Sequence, residues 1–123
     1  MNGRSFLVDT NIALYLLGGD VTITNILDNS TIYLSFITQL ELLGYSGISS
    51  SEQKKVKSFI NDCVVVDITE EIKIKTITIR QNYKLKLPDC IIAATAQFLD
   101  IPLLTADKDF RKIKNFNITF YED

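Results

Sequence analysis

Short apolar runs alternate with longer amphipathic segments along the chain. "SFLV" (5–8), "TIYLS" (31–35), "CVVV" (63–66), "IPLLT" (101–105) and "NITFY" (117–121) predict strands. The first four lack a clean in–out alternation. That pattern predicts burial on both faces, and hence a parallel sheet covered by helices. The segments between them predict those helices. Asn11–Leu17 stops at Gly18-Gly19, Thr22–Leu27 makes a turn or two, and Phe36–Leu43 stops at Gly44. Ser51–Asn61 follows a serine cluster and offers Val56, Phe59 and Ile60 as a buried face. Pro88–Leu99 opens on a proline, which suits a first helical turn, and a short helix is expected after Asp107.

Residues 69–86 carry two conflicting periods. "IKIKTITI" alternates as a strand does, yet Ile68, Ile72, Thr76, Ile79 and Tyr83 form a stripe at helical spacing. Glu70 and Glu71 stand at the start of the segment, with Arg80, Lys84 and Lys86 near its end, as a helix dipole favours. The segment is therefore read as a helix. The whole chain, 1–123, reads as one three-layer α/β domain.

Composition narrows the chemistry. The chain has 46% hydrophobic residues, enough for a core, and no apolar run long enough to span a membrane. No secretory signal is read at "MNGRSFLV", and Cys63 and Cys90 are expected as unpaired thiols in an intracellular protein. There is no histidine. That excludes Ser-His-Asp and Cys-His catalysis, and with two cysteines a thiolate zinc site is excluded too. Carboxylates are the remaining instruments, and they suit hard cations such as magnesium. Formal net charge is −2, but bases concentrate in the second half of the chain.

Ligands bind outside the carboxyl ends of parallel strands. The acids at such places are Asp9 ending the first strand, Glu41 on the helix after the second, Asp89 after Pro88, and Asp107 and Asp109 after "PLLT". Each also has a structural reading. Asp9 and Asp107 fit helix caps, Asp89 fits a helix dipole, and Thr38-Gln39-Leu40-Glu41 matches a capping box. A helix starting at Ser35 instead would carry Glu41 beyond capping range. Convergence favours a site: if strands one and four are neighbours, Asp9 and Asp107 open onto one crevice, and clustered carboxylates call for a cation. Asp67, on an expected edge strand, is read with Thr69 as capping and left outside the site.

"FLVDTN", "TQLELL", "LPDCIIAATA" and "LLTADKDF", in this order, resemble the PIN-domain nucleases, and within them the VapC-like toxins of bacterial type II toxin–antitoxin pairs. The resemblance spans the whole chain. It implies a central parallel sheet of order 3-2-1-4-5 and an acidic cluster binding Mg2+ or Mn2+ to hydrolyse RNA, leaving 3′-hydroxyl and 5′-phosphate ends. Asp9, Glu41, Asp89 and Asp107 match its acidic positions, Asp109 matches a more variable one, and Thr10, Asn11 and Thr105 match supporting residues. The expected metal ligands are Asp9, Asp89, Asp107 and Asp109, with Glu41 orienting or deprotonating the attacking water. The resemblance also implies a homodimer, a cognate antitoxin and a cytoplasmic location.

Lys84, Lys86, Lys108, Arg111 and Lys112 are expected to grip the RNA backbone at the rim. Leu14, Tyr15, Leu17, Leu42, Leu43 and Tyr45 offer apolar surface for a partner, or ordinary core. A phosphorelay receiver would need paired acids after the first strand and a lysine after the fifth, and the chain has neither. Two alternatives remain: a PIN nuclease outside any toxin pair, and a non-catalytic interaction module on the same fold.

Overall fold

The computed structural model describes residues 3–114 and 116–121. Five strands form one sheet: β1 (Ser5–Val8), β2 (Thr31–Ser35), β3 (Val64–Val66), β4 (Leu103–Thr105) and β5 (Ile118–Phe120). Their order is β3-β2-β1-β4-β5, and every pairing is parallel. β1 lies between β2 and β4, with Leu7 opposite Leu103 and Val8 opposite Leu104. The expected strand order and the expected neighbours of β1 are therefore both present.

Six α-helices connect the strands: α1 (Thr10–Leu17), α2 (Val21–Leu27), α3 (Phe36–Leu43), α4 (Ser50–Asn61), α5 (Glu70–Asn82) and α6 (Leu87–Leu99). A 3-10 helix, Lys108–Lys112, follows β4. Side chains of β1 point alternately to the two faces. Leu7 packs with Ile72 and Ile79 of α5 and Ala93 of α6, whereas Phe6 and Val8 pack with Ile12, Ile23 and Ile60 on the other side. Burial on both sides explains why the strands read as continuous apolar runs.

The helix starts follow local chemistry. Asp20 and Thr69 accept hydrogen bonds from the backbone N–H groups of Ile23 and Ile72, and Ser49 with Glu52 forms a capping box. Asp67 does not share in this capping: its carboxylate accepts from the adjacent Ile68 N–H, and Thr69 alone caps α5. Ser35 caps α3, so Glu41 lies in the second turn and the Thr38-to-Glu41 capping box does not form.

Segment 70–82 is a helix with Ile72, Thr76 and Ile79 buried. The strand-like alternation survives only as Ile74 and Ile77 on its outer side, 57% and 56% exposed. Ile72→Ala is therefore expected to lower unfolding stability by about 2–5 kcal/mol, and Ile74→Ala by less than about 0.5 kcal/mol, in urea titrations. Equal losses at the two positions would contradict the helix.

Cys63 and Cys90 are free thiols, and burial pushes Cys63 up to about 11, where it is unreactive near neutral pH. Among the described residues no helix is long and apolar enough to cross a membrane. Of the possible partner-facing residues, Leu42 is fully buried, and Leu14, Leu17 and Leu43 are half-buried against the core. Tyr15 and Tyr45 remain exposed.

Candidate active site

β1 ends where α1 begins, and Asp9 occupies the joint. One carboxylate oxygen caps α1 by accepting from the Ile12 N–H at 2.9 Å, and the other accepts from the Thr105 hydroxyl at the end of β4. Asp9 is only 5% exposed. Capping and site membership thus coincide in one side chain, because the β1 terminus is both a helix start and the floor of the crevice. Thr105, fully buried, also accepts from the Asp107 N–H at 3.0 Å. A single hydroxyl therefore ties the two acid-bearing strand ends together.

Asp107 caps the 3-10 helix, accepting from the Asp109 N–H at 2.9 Å. Glu41 is reached from α1: the Thr10 hydroxyl donates to its Oε1 at 2.6 Å. The Thr10 oxygen also lies 3.1 Å from the hydroxyl of buried Thr38. Since Thr10 has one proton and gives it to Glu41, Thr38 must be the donor in that second contact. The relay Thr38–Thr10–Glu41 fixes one oxygen of Glu41 and leaves the other without a hydrogen bond among the described residues.

Asp9, Glu41, Asp89 and Asp107 line one cleft of about 620 Å³ at the carboxyl end of the sheet. Thr10 and Asn11 also line it, while Thr105 lies beneath Asp9. Lys86 is the one base on the cleft wall among the described residues. Leu40, Tyr45, Pro88 and Ile92 form its apolar side. Gly44 matters here, because a Cβ would stand 2.8 Å from the Leu40 carbonyl oxygen where α3 ends and the chain turns toward Tyr45.

The carboxylates disturb one another. Asp89 is pushed up to about 6, first by burial, then by repulsion from Asp107 and Asp9, with Lys86 pulling the other way. Asp9 is also raised, chiefly by burial, against the opposing hydrogen bonds from Thr105 and Ile12. The cleft thus gathers carboxylates that repel one another, opposed on its wall by Lys86 alone among the described residues.

Among the described residues, no three carboxylates or cysteines close on one point tightly enough to form a ready metal cage. The donor set still fits a hard cation. It offers only oxygen, and Mg2+ is commonly held by one or two carboxylates with the rest of its shell as water.

The remaining expected site residues are placed elsewhere. Asp109 does not line this cleft. It lines a neighbouring hollow and pairs with Lys112 at 3.7 Å. Lys84 lines that second hollow, and Lys86 lines both. Lys108 and Arg111 line neither, and the Arg111 guanidinium sits 4.4 Å from the centre of the Phe120 ring. Sequence reasoning missed Thr38 as the support of Glu41 and Tyr45 as a cleft wall. The TxxE spacing was the available signal for Thr38, where it pointed to a cap instead.

A family model described as the PIN domain matches residues 6–115. Among curated protein sequences none matches the chain. Among solved structures, a chain of a toxin–antitoxin complex from Klebsiella pneumoniae is 31% identical, with 92% of this chain and 94% of that one covered and a TM-score of 0.78. A chain of a VapBC complex from Rickettsia felis, bound to a DNA fragment from its promoter, gives a TM-score of 0.85 at 22% identity, covering 97% and 100%. A chain of DNA-bound VapBC from Salmonella typhimurium gives 0.78 at 22% identity, covering 95% and 98%. The latter two resemblances are of fold.

Proposed function

The chain belongs to the PIN-domain family, and from that premise we propose that it is a divalent-metal-dependent endoribonuclease, the toxin of a toxin–antitoxin pair. PIN domains are nucleases. The observation that carries the reading is the convergence of Asp9, Glu41, Asp89 and Asp107, from four separate segments, onto one cleft with Lys86 as the lone opposing charge on its wall among the described residues. Helix capping accounts for Asp9 and Asp107 singly. It gives no reason for all four acids to share a cleft.

Asp9, Asp89 and Asp107 would hold the ion, which when bound supplies charge neutralisation at the phosphate and a lower pKa for water beside it. Asp9 is held rigidly from two sides, so its position costs no ordering when the substrate arrives. Glu41, anchored through Oε1, presents Oε2 to accept a proton from the attacking water. Lys86 supplies positive charge at the cleft wall, where the phosphodiester must enter.

The toxin–antitoxin complex that contains the 31% identical chain supports a cognate antitoxin as partner. Leu40 and Tyr45, 57% and 49% exposed on the cleft wall, give such a partner an apolar footing. We place the working protein in the cytoplasm as a homodimer.

The direct test is to incubate the purified protein with total cellular RNA and map the ends produced. Cleavage is expected with manganese or magnesium, leaving 5′-phosphate ends, and none with a chelator. Cleavage that persists in the chelator would sink the metal-dependent reading. No cleavage in either metal would leave the interaction-module reading in its place.

A further inference from the structure

Beside the acidic cleft lies a second hollow of about 680 Å³ with the opposite charge. Arg80, Lys84 and Lys86 line it, against a single carboxylate, Asp109. Tyr83 and Leu87 complete much of its wall. Lys86 lines both hollows, so they meet at that residue.

The hollow is built by the chain reversal between α5 and α6. Arg80 donates to the Leu85 carbonyl oxygen at 2.7 Å, which pins its guanidinium across the turn. Lys112 donates to the Lys84 carbonyl oxygen at 3.2 Å while pairing with Asp109, so the 3-10 helix closes the far side. Neither Lys84 nor Lys86 has a salt bridge among the described residues.

Opposite charges in adjoining hollows suit a polyanion whose phosphates play different parts. One phosphate is cleaved among the carboxylates, while its neighbours along the strand need cations. We infer that the second hollow seats the phosphodiester backbone flanking the cleaved bond of single-stranded RNA. Lys84, Lys86 and Arg80 are its phosphate contacts, and Tyr83 is an aromatic wall for an unpaired base. Asp109 is an electrostatic brake within that seat. This inference rests on the nuclease reading for the identity of its ligand. It assigns Asp109 a place in substrate binding that differs from the metal-ligand role the family resemblance implies.

The test uses a fluorescent single-stranded oligouridine and the wild-type chain in a chelating buffer, where cleavage is off, with anisotropy read at several salt concentrations. Affinity should fall with salt, and Lys84→Ala should reduce the magnitude of the log–log slope by about 0.7, one phosphate contact. Lys84→Glu should weaken binding at low salt by about three- to tenfold. Asp109→Asn should tighten binding by a similar factor, because it removes the brake and releases Lys112.

Lys57→Ala, on α4 across the sheet, should leave the slope unchanged. Lys84 is exposed, and its thermal melting should match wild type in every variant scored. An unchanged slope in Lys84→Ala, or weaker binding in Asp109→Asn, would overturn the inference. So would a lack of salt-sensitive binding by the wild type. Cleavage of RNA in manganese is scored separately, so the nuclease reading can stand while this one falls.

Discussion

Asp9→Asn is expected to lower manganese-dependent RNA cleavage by about a hundredfold or more while leaving the fold in place. A bound divalent ion contributes several kcal/mol of charge stabilisation in such reactions, and each 1.36 kcal/mol is about tenfold in rate. Asparagine keeps the cap of α1, since its side-chain oxygen can still accept from Ile12, and it ranks with aspartate as an N-cap. It also removes a charge that burial already disfavours. The costs are a weaker contact to Thr105 and the loss of one charged oxygen facing the cleft. The melting temperature without metal should therefore stay near that of wild type or rise, while the stabilisation produced by added manganese shrinks. Rate and metal-induced stabilisation must fall together. Loss of activity through unfolding would instead show as a lower melting temperature in the chelator, and that result would remove the argument for Asp9 as a ligand.

What the sequence made legible follows from which physical signals are local. The helix at 70–82 could be read because three buried positions, Ile72, Thr76 and Ile79, repeat at its period and the end charges agree with a helix dipole. Asp9 and Asp107 could be placed in one crevice because a side chain at a strand end must open at that end of the sheet. Glu41 was ambiguous, since the choice between Ser35 and Thr38 as the cap of α3 is worth only about 1 kcal/mol. In the structure Ser35 takes the cap, and Thr38 is buried with its hydroxyl 3.1 Å from that of Thr10.

Asp109 was the acid that spacing could not place. Asp107 is the extended cap residue at the end of β4, whereas Asp109 already lies inside the 3-10 helix, so the two side chains leave the backbone in different directions. Asp107 therefore lines the cleft while Asp109 lines the hollow beside it. The basic residues were harder still, because their long side chains are directed by neighbours far away in sequence. Arg111 lies over Phe120, Arg80 spans to Leu85, and Lys112 reaches Lys84. None of these contacts leaves a periodic trace.

Asp89→Asn should make the metal-free protein more stable above about pH 7 and should leave it unchanged near pH 4. Asp89 is pushed up to about 6 in the folded chain, against an ordinary value of about 3.9 when unfolded. The native state then holds a proton that the unfolded state has released. Stability from this group is fully present below about pH 4 and is lost as pH rises through about 6. Other carboxylates act in the opposite sense, so the quantity to follow is the difference in melting temperature between Asp89→Asn and wild type across pH. That difference should open between about pH 4 and 7 and then level off, by about 2–8 °C for each kcal/mol of repulsion relieved. Magnesium should reverse the order at neutral pH, because the wild type gains a ligand-driven stabilisation that the variant lacks. If Asp89→Asn melts below wild type in a chelator at pH 7.5, the charge of Asp89 serves chiefly the first turn of α6 through the helix dipole, and the electrostatic account of the cleft is wrong. If it melts above wild type there and below it in magnesium, the instability of the empty cleft is what binding of the cation relieves.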